Sequence, residues 1–219
     1  MPVPAIFITT ACDDLDFLAP IVDRFKKELG EAFEQVPISC ADDIAFALER
    51  IRTSAAARVV IFSHGRDGEL LGADPPAGGG NGPAWLDKQE HFAALFGKEV
   101  FCLACQSQTL AAAAIAFGAK AFLGFAEVPF HRFDGDDPRP EPELEESCKQ
   151  RIAEATQLSL LRWLVTGEPL VEVAAYFRLC VRRSTVDFAR TEHPYRHNII
   201  DLSLEMLKCS VVFAAPSTG

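Results

Sequence analysis

Short apolar runs alternate with stretches in which apolar residues return every three or four positions, from the amino terminus through Phe125. Ala5-Ile6-Phe7-Ile8-Thr9-Thr10 predicts a buried strand that ends at the polar Asp13-Asp14 loop. Leu15, Leu18, Ile21, Val22, Phe25 and Leu29 share one helical face, which predicts a helix over Leu15 to Leu29 with Gly30 as its cap. Gln35 to Ser39 reads as a second strand. Ser39 and Asp42 have the spacing of a capping box, and Ile44, Leu48 and Ile51 mark the face of the helix behind it. Arg58 to Ser63 is a third strand that leads into His64-Gly65. Arg66 to Pro83, rich in Gly, Pro and Asp, reads as a loop that contains Gly78-Gly79-Gly80-Asn81-Gly82. A helix over Leu86 to Phe96 and a fourth strand over Glu99 to Ala104 follow, the strand ending at Cys105. An alanine-rich helix over Gln108 to Phe117 stops at Gly118, and Lys120 to Phe125 is a fifth strand.

These strands are continuous apolar runs, without the alternation of a sheet that faces water. Such runs, alternating with helices, predict a parallel sheet covered on both faces: a three-layer α/β fold. Glu127 to Pro142 is a polar, proline-bearing loop. From Glu143 to about Ala214 the chain reads as helical in three pieces, divided by Gly167 with Pro169 and by Pro194. The expected organisation is one domain: an α/β core over residues 1–142 and a helical C-terminal part over residues 143–219, packed on that core.

Composition narrows the function. The chain has 219 residues, 49% of them hydrophobic, and a formal net charge of −10. No basic run of five or more residues appears, so nucleic acid and anionic membrane are poor partners on electrostatic grounds. No run approaches the ~18 apolar residues of a membrane span, and the first residues lack the charged and apolar regions of a signal peptide. Seven irregularly spaced cysteines then read as reduced thiols, which predicts a cytoplasmic protein.

Two side chains carry the candidate chemistry. Ligands of open parallel sheets bind beyond the carboxyl ends of the strands. His64 sits at that end of the third strand and Cys105 at that of the fourth. On neighbouring strands they emerge about 5 Å apart. Gly65 removes a side chain beside them, and the helix after Cys105 points its amino terminus at the thiol, which favours a thiolate. In this reading Cys105 attacks a peptide carbonyl and the N–H groups of Gly65 and Cys105 hold the oxyanion. His64 moves the protons.

Other constellations are weaker. Cys102-Leu103-Ala104-Cys105 has Cys-x-x-Cys spacing, but alternation in a strand sends the two thiols to opposite faces. Zinc-type paired spacing is missing, and Pro194 separates His193 from His197. Neither a metal nor a cofactor is expected. The glycine cluster lacks the Lys and Ser/Thr of a phosphate loop. An α/β-hydrolase would need a Gly-x-nucleophile-x-Gly elbow, and no Gly flanks Cys105 or Ser107.

The blocks Val59-Val60-Ile61-Phe62-Ser63-His64-Gly65 and Val100-Phe101-Cys102-Leu103-Ala104-Cys105-Gln106-Ser107 resemble the signature of the caspase–metacaspase–gingipain superfamily. Ala116 to Phe125, in which Gly118-Ala119 opens the next strand, and Thr166-Gly167-Glu168-Pro169-Leu170 resemble its bacterial CHAT branch. The resemblance implies a caspase-like thiol protease, with His64 as general base, Cys105 as nucleophile, and Gly65 and Cys105 supplying the oxyanion-hole amides. It also implies protein or peptide substrates and, by analogy, control by a separate protein partner. The chain departs from the family two residues before the nucleophile, where Leu103 replaces a polar or acidic pocket residue. Glu127, Asp67 and Asp134 are then the candidate substrate-binding acids for a basic P1 residue, with Glu127 favoured because it follows the fifth strand directly. Arg66 or Arg132 would select an acidic P1 instead. An inactive caspase-like scaffold is the competing expectation.

Overall fold

The computed structural model describes residues 3–73, 82–87, 89–128 and 142–214. Nine strands and seven α-helices are described: β1 (Ala5–Thr10), α1 (Ala19–Leu29), β2 (Phe33–Ile38), α2 (Asp42–Thr53), β3 (Arg58–Phe62), β4 (His64–Arg66), β5 (Glu69–Leu71), β6 (Ala84–Trp85), α3 (Gln89–Phe92), β7 (Glu99–Leu103), α4 (Ala111–Ala116), β8 (Ala121–Phe125), α5 (Pro142–Leu160), α6 (Leu170–Ala189), α7 (Arg196–Glu205) and β9 (Cys209–Phe213). Six strands form one sheet in the order β2-β1-β3-β7-β8-β9. All its pairings are parallel except that of β8 with β9. The fold is the expected three-layer α/β arrangement.

Alternation along the buried strands sorts side chains between two cores. Val60, Phe62, Phe101 and Leu123 face α1, α5 and α6, where Phe25, Ile152 and Phe177 are buried. Val59, Ile61, Val100 and Phe122 face α2, α3 and α4, where Ile51, Phe92 and Ala114 are buried. Cys105 belongs to the first core and Cys102 to the second, so the Cys-x-x-Cys pair is split across the sheet as alternation requires.

The part after residue 142 departs from an all-helical expectation. Residues Cys209–Phe213 add an antiparallel edge strand to β8, anchored by Arg178 of α6, which donates to the carbonyls of Leu207 and Cys209. Helix α5 widens into a π-helical turn over Leu161–Val165 that buries Trp163. The Trp163 indole N–H donates to Glu99 at 3.2 Å, and buried Arg58 donates to the Trp163 carbonyl. Arg58 and Glu99 stand at the amino ends of β3 and β7, so this polar cluster ties α5 to the edge of the sheet opposite the candidate chemistry.

Several boundaries differ for local reasons. Asp13–Leu18 is a 3-10 turn, and α1 begins only at Ala19, with Pro20 in its first turn where a missing N–H is harmless. Gly30 caps α1 with φ 55°. The expected Ser39–Asp42 capping box is replaced by Asp43, whose carboxylate accepts from the N–H groups of Ser39 and Cys40. These bonds hold the Asp43 carboxyl below its ordinary pKa. The helix expected over Leu86 to Phe96 is a short α3 followed by a 3-10 turn. The loop expected from Arg66 to Pro83 contains the β4–β5 hairpin, which turns at Asp67-Gly68, with Gly68 at φ 81°. Most of the glycine cluster lies outside the described residues. Among the described residues no helix is long and apolar enough to cross a membrane.

Candidate active site

β3 and β7 are parallel neighbours in register, Phe62 opposite Leu103. Both chains therefore leave the sheet at the same level, one toward His64 and the other toward Cys105. Ser63 fixes the first exit. Its N–H donates to the Leu103 carbonyl, and its buried hydroxyl donates to the Leu71 carbonyl at 2.8 Å while accepting from Thr10 and from the Trp85 indole. The small β4-β5-β6 sheet is thereby pinned to the ends of β1 and β3.

Ser107 fixes the second exit. Its buried hydroxyl reaches the carbonyls of Cys102 and Ala104 and accepts from the Phe125 N–H at 3.0 Å. The chain then turns through Gln106, a non-glycine residue held in the left-handed region at φ 55°. Such strain persists only where surrounding bonds enforce it, and the Gln106 N–H is tied to the Ala126 carbonyl at 2.8 Å. The N–H of Cys105 has no acceptor among the described residues.

The two exits touch. A Cβ built on Gly65 would collide with the Cys105 carbonyl oxygen and crowd the Ala104 side chain. The space freed by Gly65 is thus filled by the backbone beside Cys105. Gly65→Ala is expected to destabilise the chain by about 2–3 kcal/mol, because backbone must yield, not a flexible side-chain tip. A lower urea midpoint at unchanged m value is the measurement that checks it.

The candidate nucleophile and base have other partners in this state. His64 Nε2 lies 3.0 Å from Cys12 Sγ. Cys105 Sγ lies 3.3 Å from the Val128 carbonyl and 3.4 Å from the Val128 N–H. Cys105 is 6% exposed and His64 9%. Burial pushes the Cys105 thiol up to about 11, opposed by the Val128 N–H and reinforced by the negative charge of Glu127. The expected stabilisation of a thiolate is therefore not what this state provides. The chain after Cys105 forms a 3-10 turn and a six-residue α4, and burial is the largest cause of the raised thiol pKa.

Of the candidate specificity acids, Glu127 is half-buried and close enough to Cys105 to act on its charge. Asp67 is exposed at the hairpin tip. Arg66 is engaged by Glu69. Asp134 and Arg132 lie outside the described residues.

Sequence reasoning missed the neighbourhood of Cys12. From β1 the chain runs to β2 on one side and then returns to β3 on the other, so the strand order reverses between β1 and β3. Ligands of α/β sheets favour the carboxyl ends of strands at such a reversal. Cys12 and Asp14 follow β1 there, and their ligating atoms gather with that of His64 within 4.8 Å of one another. Beside them, Thr10, Leu15, Asp16, Asp23 and Phe62 help to line a cleft of about 250 Å³. A scan against protein-family models finds no family that matches the chain, and a search of curated proteins finds no matching relative.

Proposed function

We propose that the chain is a caspase-like cysteine endopeptidase in a resting state, with Cys105 as nucleophile and His64 as general base. The observation that carries this reading is the contact of the two exits: Gly65, next to His64, abuts the carbonyl of Cys105. Release of His64 from Cys12 and of Cys105 from Val128 is what the pair needs to meet. His64 then takes the Cys105 proton, and the thiolate adds to the scissile carbonyl. The N–H groups of Cys105 and Gly65 receive the oxyanion. Collapse breaks the C–N bond, and His64 gives its proton to the leaving amine. Water, deprotonated by His64, hydrolyses the thioester and returns the thiol. Glu127 beside Cys105 favours a basic P1 residue.

A scaffold without activity is the second reading, favoured by the burial of Cys105 and its raised pKa. Incubation with peptidyl electrophiles carrying Lys, Arg or Asp at P1, followed by mass mapping of the adduct, separates the two. The peptidase forms one adduct, at Cys105, faster with Lys or Arg. Uniform slow labelling of the more exposed Cys40, with Cys105 untouched, would establish the scaffold.

A further inference from the structure

We propose that Cys12, Asp14 and His64 form a zinc site whose occupation withdraws His64 from Cys105. The inhibitory half rests on the peptidase reading; the binding half does not.

The donor set is the first argument. Sulfur, imidazole nitrogen and carboxylate oxygen are the three donor types of protein zinc sites. Their atoms gather within 4.8 Å of one another, with Cys12 Sγ and His64 Nε2 at 3.0 Å. Around a tetrahedral zinc, such donors stand about 3.5 Å apart. Adjustments of an ångström or so bring all three to one ion, which leaves a fourth position for water. A Cys12 thiolate and the Asp14 carboxylate together neutralise the dication, so a neutral imidazole completes the site. On binding, the Cys12 thiol gives its proton to solvent, and no oxidant or reductant is involved. Soft and borderline donors disfavour magnesium and calcium, which take oxygen ligands.

Position is the second argument. The three residues come from the carboxyl ends of β1 and β3, where the strand order reverses. They span two segments fifty positions apart, which is why ligand spacing along the chain does not reveal them. Asp14 is exposed, so an ion has a way in, while His64 and Cys12 are largely covered.

Function follows from which nitrogen is used. Nε2 of His64 is the atom that faces Cys12. A metal bound there occupies the lone pair that a general base needs. Removal of zinc frees the imidazole, so the site makes hydrolysis dependent on zinc concentration.

Cobalt(II) titration of the reduced, metal-free full chain reads the site directly. A thiolate-to-cobalt charge-transfer band with four-coordinate visible absorption is expected, displaced stoichiometrically by zinc. Cys12→Ser should abolish the charge-transfer band, and Asp14→Asn should weaken cobalt binding at least about tenfold. Cys40→Ser and Cys105→Ala should leave the band in place. Absence of the band in the wild-type chain, its persistence in Cys12→Ser, or its loss in Cys105→Ala would overturn the site. In the same preparation, zinc should suppress peptide hydrolysis with a midpoint equal to its binding midpoint. Hydrolysis that continues at saturating zinc would overturn the role given to His64. A metal-free chain that hydrolyses nothing refutes the peptidase reading, and the cobalt band then decides the metal site alone.

Discussion

On the proposed peptidase reading, Cys105→Ala and His64→Ala are each expected to lower peptide hydrolysis by about 10⁴-fold or more while the chain remains folded. Removal of the sulfur leaves no atom to carry the acyl group. Without the imidazole, a thiol raised to about 11 stays protonated at neutral pH, and the leaving amine has no proton donor. The double variant should be little worse than either single one, since groups that act as a unit lose their effect together. The structural consequences are small by comparison. Cys105→Ala deletes one sulfur and its weak contacts with Val128, and His64 stands at the rim of the core, partly reached by solvent. Initial rates on the best peptide substrate, with far-ultraviolet circular dichroism as the control for folding, test both variants. Hydrolysis at wild-type rate in folded Cys105→Ala would remove this thiol from the chemistry, and Cys12 would be the next nucleophile to test, because it holds His64 in the resting state.

The elements most legible in the sequence are those with a pattern of their own. β1 occupies the run Ala5–Thr10, and β3, β7 and β8 fall within a residue of the apolar runs that predict them. Each is buried on both faces, so its composition declares it. The β4–β5 hairpin hides in Arg66-Asp67-Gly68-Glu69, where polar residues suggest a loop. The signal was there: Asp-Gly followed by Leu70-Leu71 is a two-residue hairpin turn running into a core strand. β9 had a weaker one. Val211, Val212 and Phe213 suit a strand, yet the strand exists only because the free edge of β8 and the two bonds from Arg178 hold it. No local preference contains that partner.

The candidate site divides in the same way. His64 and Cys105 could be found because each ends an evident strand, and strands joined by a helical crossover are usual neighbours. Cys12 could not, because its proximity to His64 depends on sheet order. A chain that kept adding strands in one direction would have placed β1 two strands away from β3. The reversal between them brings the loop after Thr10 against Ser63, through Thr10 Oγ1 to Ser63 Oγ at 3.1 Å. The thiol pKa was also out of reach. A strand end next to a helix suggests a thiolate, but the folded chain buries Cys105, and Val128, twenty-three positions on, returns to meet its sulfur.

Those buried thiols make the fold sensitive to alkali. Burial pushes Cys102 up to about 12 and Cys105 and Cys148 up to about 11, from an ordinary value of 9.0. In the unfolded chain they lose their protons near pH 9; in the folded chain they keep them. Between those values the folded state binds more protons, so stability falls as pH rises. At pH 10 each thiol lowers stability by about 1.4 kcal/mol, and the three together by about 4 kcal/mol. Cys180 and Cys209, also raised by burial, act in the same direction. Lys98 opposes them: desolvation lowers its pKa, although its ammonium donates to the carbonyls of Ser54 and Ala56. The net loss is a large part of the 5–15 kcal/mol that holds an ordinary domain together. Urea midpoints under reducing conditions should hold steady from pH 7 to about 8.5 and drop steeply by pH 10. Cys148→Ala removes one of the three titrations, so its decline over the same interval should be shallower by about 1.4 kcal/mol. A midpoint that stays level to pH 10 in the wild-type chain would mean that these thiols ionise without unfolding, and that solvent already reaches Cys105 in the resting state.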